Sequence, residues 1–352
     1  MVGAGAHHWR LMIDDKKLFI GIVGTSIITY NAVRYVANLV RKSRSQLIPV
    51  GTVSALYVYP VKSCKGKKVF SMYCGETGPI AGEIQDRNFI VINGKDGRYV
   101  RKILTSHFDE GKPQYFTHEL RFYTGRQKPC MVTIECDVCD GVLTMKCGGK
   151  TVKVDMEEVR KRNDVRTARL FHDERSDGLD CGDAAAAFLS EILEEPDTRL
   201  LMYQKGLYSN RGCVIERNAW NTEIPLRTDK TPFADDAPFM INTQASLEEL
   251  NTRLKEKVVI ERFRPVILVD KCAAWDEDKW LSVHIGDVVL QCLKPCLRFR
   301  LAPEGPMRDD CKDNPIFGVD AGLIRPGHIH VGQTVYVRYK SEYLKQTPFY
   351  TS

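Results

Sequence analysis

The sequence lacks the features that mark disordered, repetitive or fibrous chains. It has no low-complexity tract, and no segment recurs at the periods of solenoid repeats. Its 352 residues are 43% hydrophobic and 27% charged, a balance that supports one large core or two modest ones. These absences exclude a repeat protein and an intrinsically disordered protein, and they favour a folded globular body.

The body of the chain also lacks an excess of either charge. The formal net charge is +6, but residues 1–50 contain seven basic and two acidic residues, which leaves 44 basic and 43 acidic residues in the other 302. Proteins that bind nucleic acids need a basic surface to neutralise phosphates. Because the excess lies at the N-terminus, the folded body is not expected to bind nucleic acid.

Long hydrophobic runs are nearly absent as well. The uncharged run Leu18–Val33 has 16 residues, just under the lower limit of about 17 for a membrane-spanning helix. The apolar pattern continues past Arg34, whose long side chain can reach the lipid headgroups. We predict a single-pass anchor over residues 18–40, with an amphipathic surface helix as the alternative. Basic residues after the run place the C-terminal body on the cytosolic side.

Zinc-finger spacing occurs only once among the twelve cysteines. Cys136 and Cys139 form a Cys-x-x-Cys pair, and no second Cys/His pair at ligand spacing follows. The surrounding residues alternate like a β-hairpin around a Cys139-Asp140-Gly141 turn. On a chain exposed to the cytosol, free thiols are the default state. We therefore interpret this pair as structural thiols in a hairpin and not as a zinc site.

Short β segments dominate after residue 50. They are rich in β-branched and aromatic residues and are separated by glycine, aspartate and asparagine turns, which is typical of barrels and sandwiches. Two helices are predicted, one with Asp183 as N-cap and one that begins at the capping box of Ser246 and Glu249. The predicted fold class is α+β and β-rich, with an N-terminal membrane segment at 1–45, a β-barrel-like lobe at 50–200 and a second lobe at 201–345.

Five segments carry a resemblance to one known family. They are Val50–Gly66, which includes Lys62-Ser63-Cys64-Lys65-Gly66, then Asp86–Phe89, Gly178–Ala184, Arg262–Pro265, and Pro315–Gly318 with Val331-Gly332 and Val335-Tyr336. In this order they resemble the mitochondrial amidoxime-reducing components, which belong to the molybdenum-cofactor sulfurase C-terminal (MOSC) domain superfamily. The resemblance implies a β-barrel-like lobe followed by a MOSC β-barrel core with a few helices. It also implies an anchor in the mitochondrial outer membrane.

The resemblance further implies a cofactor and its binding residues. The family binds a molybdenum–molybdopterin cofactor, whose phosphate and pterin oxygens need hydrogen-bond donors. An ammonium, a hydroxyl and planar guanidinium groups are suitable donors. The implied cofactor-binding residues are Lys62, Ser63, Arg87, Arg264 and Arg298.

The sequence departs from the family pattern at the metal. Family members have Cys-x-Arg-Cys, in which the second cysteine ligates molybdenum, whereas this chain has Cys296-Leu-Arg298-Phe299. A benzyl ring cannot coordinate a metal. Three further departures replace polar groups or add negative charge: Asp236-Ala237 stands for Thr-Ser, Val266 for Asn, and Ala302–Gly305 for Asp-Pro-x-Thr-Gly.

Two functions from different classes fit these residues. The first is a molybdenum reductase of N-oxygenated compounds, which the resemblance implies would receive electrons from cytochrome b5 reductase through cytochrome b5. The second is a catalytically silent MOSC scaffold that has lost the metal and binds a phosphorylated ligand or a partner protein. Cys64, in the cofactor loop, and Cys296 are the thiols considered as substitute metal ligands; an extended chain places Cys296 roughly 10 Å from position 299.

Overall fold

The computed structural model describes residues 30–31, 33–35, 47–94, 128–170, 175–209, 213–214, 223–224, 227–297 and 316–346. The chain divides into two units at residue 48. In the first unit, residues 30–31 and 33–35 are helical. No helix within the described ranges is long and apolar enough to cross a membrane. The anchor predicted over residues 18–40 lies mostly outside these ranges, so it stays a prediction.

The second unit is built mainly from β-strands, which confirms the predicted β-rich fold. The strands in chain order are β1 (Ile48–Val58), β2 (Lys67–Val69), β3 (Ser71–Gly75), β4 (Gly78–Ala81), β5 (Ile84–Gln85), β6 (Phe89–Asn93), β7 (Glu135–Cys139), β8 (Val142–Cys147), β9 (Lys150–Asp155), β10 (Val165–Arg169), β11 (Arg175–Asp180), β12 (Thr198–Tyr203), β13 (Cys213–Val214), β14 (Thr228–Asp229), β15 (Phe239–Thr243), β16 (Ile267–Asp270), β17 (Trp280–Ile285), β18 (Val288–Leu297), β19 (Ile316–Arg325), β20 (Gly327–His330) and β21 (Thr334–Tyr339).

Few helices accompany the strands of the second unit. The α-helices are α1 (Met156–Arg162), α2 (Asp183–Leu193) and α3 (Gln244–Arg253), and short 3₁₀ helices cover Pro129–Thr133, Ile260–Phe263, Asp276–Lys279 and Ser341–Gln346.

Both predicted N-caps are wrong, by one residue for α2 and by three residues for α3. Gly182, not Asp183, is the N-cap of α2, and the Asp183 carboxylate pairs instead with Arg199 at 2.7 Å. Helix α3 begins at Gln244 because the hydroxyl of Thr243 accepts the backbone N–H of Ser246 at 3.2 Å. Ser246 was expected to be the cap, but it lies in the first turn, where the Thr243 hydroxyl has already satisfied its N–H.

Seven strands close into a barrel. Their order is β16-β15-β19-β18-β17-β21-β1, and β1 pairs back with β16 to close the ring. The pair β15–β16 is parallel, with Ile241 opposite Ile267, whereas β1 runs antiparallel to β16, with Leu56 opposite Ile267. Closure leaves no free edge among these strands, and this confirms the predicted barrel.

Helix α3 covers one outer side of the barrel. Because side chains alternate along a strand, Leu268 of β16 faces α3 while the buried Ile267 and Val269 face the opposite way. Leu268 joins a buried apolar cluster with residues of β1, of α3 and of the 3₁₀ helix before Arg264; its members are Ala55, Tyr57, Tyr59, Leu247, Leu250, Ile260, Phe263, Leu268 and Phe317. This packing fixes the positions of Tyr59 and of the chain around Arg264.

A four-stranded sheet, β10-β11-β12-β6, forms a second layer. Its buried residues Ile90 and Leu201 pack against Phe233, so the segment before β15 is held on this sheet. The lobes predicted at 50–200 and 201–345 share one barrel, because β1 of the first lobe lies in it together with strands of the second. The lobe boundary itself stays a prediction.

Candidate functional site

The predicted cofactor loop follows directly from β1. After β1 ends at Val58, the chain runs beside the start of β6: Lys62 N–H donates to Phe89 O at 2.8 Å, and Phe89 N–H donates to Pro60 O at 3.0 Å. The chain then turns, with Cys64 N–H donating to Val61 O at 3.2 Å. This backbone pairing brings the loop of Lys62 and Ser63 close to Arg87.

The buried ring of Tyr59 brings the two predicted arginines together. The guanidinium carbon of Arg87 lies 4.8 Å from the ring centre, and that of Arg264 lies 4.2 Å from it. The Tyr59 hydroxyl donates to Pro265 O at 2.9 Å. A Cβ atom at Gly66 would lie 2.3 Å from Cε1 of Tyr59, so only glycine fits there. Cation–π contacts of this kind hold both guanidinium groups in place.

Arg87 has a buried counter-charge. Its Nη1 pairs with Oδ2 of Asp86, while Oδ1 of Asp86 accepts the backbone N–H of Tyr59 at 2.8 Å. Asp86 is 2% exposed. Burial alone would lower the pKa of Arg87, but the Asp86 carboxylate outweighs burial and raises the pKa above its ordinary value. The positive charge of Arg87 is therefore largely neutralised within the fold.

Arg264 has no such carboxylate partner among the described residues. Its Nη1 donates to the backbone O of Cys64 at 2.6 Å. Its Nη2 is buried, and no described group accepts a hydrogen bond from it. Burial lowers the pKa of Arg264, and the nearby charge of Arg87 lowers this pKa further. A buried donor without an acceptor costs about 1–3 kcal/mol, so this nitrogen is suited to an anionic ligand.

Lys62 is held by an acidic segment that departs from the family pattern. Its ammonium donates to Phe233 O at 2.7 Å and pairs with the carboxylate of Asp235. The next residue, Asp236, pairs with Lys294 at 2.9 Å. Lys62 is buried, whereas the Asp235 side chain is half exposed. The two aspartates thus supply negative charge to the lysines of this region.

Three of the predicted site residues have left-handed backbone conformations. The φ angles are +69° at Ser63, +48° at Arg87 and +54° at Arg264. Each costs of order 1 kcal/mol or more for a residue with a Cβ atom, and such strain concentrates at functional sites. The concentration of strain here supports a binding role for this region.

The structure thus brings Lys62, Ser63, Arg87 and Arg264 to one region, while Arg298 and Phe299 lie outside the described residues. Sequence reasoning missed Tyr59, Asp86 and Asp235 as partners. Asp86 and Asp235 stood in segments singled out for other residues, but their pairings were not visible in the sequence.

The sequence predicts no certain metal ligand and leaves open whether Cys64 or Cys296 could replace the missing one. Cys64 is fully buried, and Cys296 is partly buried in β18. Within the described ranges, no group of three or more His, Cys, Asp or Glu side chains is arranged to hold a metal ion.

Comparisons with known proteins match both parts of the chain. Residues 50–196 match the MOSC N-terminal beta barrel domain, and residues 228–336 match the MOSC domain. Mitochondrial amidoxime-reducing component 1 of Homo sapiens is 29% identical, over 93% of this chain and 95% of that protein. Mitochondrial amidoxime reducing component 2 of Bos taurus is 29% identical, over 83% of this chain and 85% of that protein.

Proposed function

The chain belongs to the MOSC family, with an N-terminal β-barrel domain and a MOSC domain, and we propose that it binds a phosphate-bearing pterin as a catalytically silent scaffold. The observation that carries the proposal is the buried Nη2 of Arg264, which has no acceptor among the described residues. A phosphate or pterin oxygen would satisfy this donor through a charge-assisted hydrogen bond.

The chemistry of the site fits an anionic group better than a metal. Arg87 and Arg264 present two guanidinium groups beside one ring, and Asp86 neutralises only one of them. Arg264, Arg87 and the loop of Lys62 and Ser63 would hold the ligand. At the position where the family has its metal-ligating cysteine, Phe299 offers only carbon and hydrogen. This position therefore does not fit a molybdenum ligand.

A second function, reduction of N-oxygenated compounds, is favoured by the names of the relatives. The homologues are called amidoxime-reducing components. In this reading molybdenum would supply the redox chemistry, Cys64 or Cys296 would replace the missing ligand, and electrons would come through cytochrome b5. This candidate requires the purified protein to reduce benzamidoxime, and a lack of turnover by metal-loaded protein would exclude it.

Placement at the mitochondrial outer membrane is part of the same proposal. Residues 18–40 would anchor the chain, with the C-terminal body facing the cytosol. Support comes from the basic flank after the apolar run and from relatives named mitochondrial. Protease digestion of intact mitochondria checks the orientation, because a body in the cytosol is degraded while matrix proteins survive.

The deciding experiment is the pterin and molybdenum content of the full-length chain. It is expressed in a host that makes the cofactor and purified in detergent. We expect bound pterin with little metal. Arg264→Ala should lower pterin affinity about 10- to 100-fold, the loss expected for a charge-assisted hydrogen bond of about 1.5–3 kcal/mol. Arg262→Ala, at an exposed position two residues away, is the matched control and should retain the pterin.

Each outcome of this experiment separates the two functions. Pterin without metal supports the scaffold, and Phe299→Cys should then raise the metal content. Near-stoichiometric molybdenum in the unmodified chain favours the reductase. Absence of both pterin and metal contradicts the anion site itself.

A further inference from the structure

A basic cleft lies beside the loop that follows β1. Its volume is about 480 Å³, within the range of about 300–1,000 Å³ that is usual for small-molecule sites. Its charged lining residues are four lysines and two carboxylates: Lys65, Lys67, Lys68, Lys146, Glu135 and Asp137. The lining therefore carries a formal excess of two positive charges. The residues proposed to bind pterin are not among the described residues that line it, so the cleft is a separate feature.

Two edge strands form the walls of the cleft. Among the described strands, β2 pairs only with β1, and β7 pairs only with β8. The chain comes together just before both strands, where Lys65 N–H donates to Ile134 O at 3.1 Å. Past this contact, Lys67 and Lys68 of β2 line one wall, and Lys146 of β8 lines the other. The backbones of these three lysines are therefore held by hydrogen-bonded strands.

The hairpin of β7 and β8 turns one polar face toward the cleft. Glu135 lies opposite Lys146, and Asp137 lies opposite Thr144. Residues directly opposite each other on antiparallel strands share a face, and successive residues alternate between faces. The intervening residues of the hairpin are buried on the other face: Cys136, Val138, Leu143 and Met145. The alternation thus gives this wall two carboxylates, one ammonium group and one hydroxyl.

Ion pairs across the cleft use only two of its four lysines. Lys65 pairs with Glu135 at 2.7 Å, and Lys67 pairs with Asp137 at 2.6 Å.

The two other lysines remain available to a ligand. No described carboxylate forms an ion pair with Lys68 or Lys146, and both side chains are exposed. Charges of one sign in a concave surface raise the local concentration of small ions of the opposite sign. The cleft is therefore suited to a small anion.

The types of lining residue narrow the chemistry of this anion. Lysine binds phosphate as a compact point charge, whereas planar recognition of a carboxylate favours arginine. Among the described residues that line the cleft there is no arginine and no aromatic ring. A nucleotide base would have no ring on which to stack. The hydroxyl of Thr144 adds one more donor for a phosphate oxygen.

We propose that this cleft binds a compact polyphosphate, an anion with several phosphate groups and no aromatic ring. Lys68 and Lys146 supply the unpaired ammonium groups from opposite walls, and Thr144 donates its hydroxyl hydrogen. Glu135 and Asp137 hold Lys65 and Lys67 in place. This site goes beyond pterin binding and does not depend on it.

The test is calorimetric titration of the full-length protein in detergent with inorganic tripolyphosphate, at low salt and without divalent cations. We expect one site per chain. Lys68→Gln and Lys146→Gln should each lower the affinity by about two- to fivefold, the loss expected for one exposed ion pair. Lys153→Gln removes the same charge from an exposed position opposite Thr144 that does not line the cleft. This control should keep the affinity of the unmodified chain.

Three outcomes would overturn the proposal. The first is no binding of tripolyphosphate at millimolar concentrations. The second is an equal loss of affinity in Lys153→Gln and Lys68→Gln, which would mean that the anion senses only the general surface charge. The third is much tighter binding of ATP than of tripolyphosphate, which would require a site for the base. Added salt should weaken the expected binding, because it screens exposed charges.

Arg264→Ala separates this cleft from the proposed pterin site. Arg264 does not line the cleft, so the variant should bind tripolyphosphate as tightly as the unmodified chain. Loss of binding in Arg264→Ala would assign the anion to the pterin site and overturn the proposal. Because pterin content is measured on the purified protein, either proposal can fail alone.

Discussion

Arg87→Ala is expected to lower the free energy of unfolding by about 3–5 kcal/mol, the cost of removing one partner from a buried ion pair. The variant leaves the Asp86 carboxylate, 2% exposed, without its guanidinium partner. It also removes the contact between Arg87 and the Tyr59 ring. Asp86 still accepts the backbone N–H of Tyr59 at 2.8 Å, but a neutral donor compensates much less of the buried charge.

Urea denaturation of the variant and the unmodified chain measures this effect. Arg160→Ala is the matched control, because its pair with Glu157 spans 3.5 Å on an exposed helix surface, and such pairs contribute about 0–1 kcal/mol. Adding Asp86→Asn to Arg87→Ala should recover part of the loss, since the amide oxygen keeps the Tyr59 contact without a charge. A loss below about 1 kcal/mol for Arg87→Ala would show that the pair is not buried in solution.

Arg87 and Arg264 therefore have different roles. Arg87 is committed to Asp86, so its removal changes stability together with any ligand binding. Arg264 donates to a backbone oxygen and keeps a buried nitrogen without a described acceptor. Arg264 is therefore the residue whose substitution reports on ligand binding, with exposed Arg262 beside it as control.

The acidic segment beside Lys62 affects how an anion can approach the site. Asp235 pairs with Lys62, and Asp236 pairs with Lys294. A phosphate approaching Lys62 would have to displace or face the Asp235 carboxylate, and two like charges about 4 Å apart repel by about 4 kcal/mol at a surface dielectric of about 20. Within this loop, Ser63 and the backbone therefore remain available to an anionic ligand held by Arg264, whereas the Lys62 ammonium is already paired with Asp235.

Local patterns in the sequence predicted local structure well. Alternating residues and the Asp140-Gly141 turn gave the hairpin of β7 and β8, and both turn residues have positive φ angles, +51° and +70°. Helix α2 was predicted, although its N-cap is Gly182 and not Asp183. Gly182 makes no side-chain capping hydrogen bond, and helix ends are defined only to within one or two residues, so the sequence alone does not separate these two positions.

Long-range partners were beyond the reach of the sequence. The barrel closes where β1 pairs with β16, and Tyr59 contacts Arg264 only because of that closure. The pairing of Lys62 with Asp235 also joins segments that are distant in the sequence. Charge partners depend on which strands become neighbours, and many acidic residues were available for each basic residue.

The 3₁₀ helix Asp276–Lys279 places a buried carboxylate at the start of α3. Glu277 is fully buried, and its Oε2 accepts hydrogen bonds from Ser246 Oγ at 2.8 Å and Thr243 Oγ1 at 2.9 Å. Burial and the neighbouring charge of Asp278 raise the pKa of Glu277 to about 7, whereas its own backbone N–H and the two hydroxyls lower it. Burial likewise raises the pKa of Asp278 to about 6.

Glu277→Gln is therefore expected to stabilise the fold at neutral pH by up to about 3 kcal/mol, at about 1.4 kcal/mol per pKa unit. The folded protein holds the Glu277 proton up to about pH 7, whereas the unfolded chain releases it near the ordinary value of 4.5. Stability from this group is thus present below pH 4.5 and lost as the pH rises to 7. Glutamine resembles the protonated acid and can still accept one hydroxyl hydrogen bond.

Denaturation of both proteins between pH 4.5 and 7.5 measures the difference in their unfolding free energies, from which the titrations of groups that do not interact with Glu277 cancel. The advantage of Glu277→Gln should grow across this interval and level off above pH 7. Glu256→Gln, at an exposed position after α3, should show no such growth. A difference in unfolding free energy that is constant with pH would mean that Glu277 is ionised in the folded protein over the whole interval. The two hydroxyls and the start of α3 would then stabilise its charge despite burial.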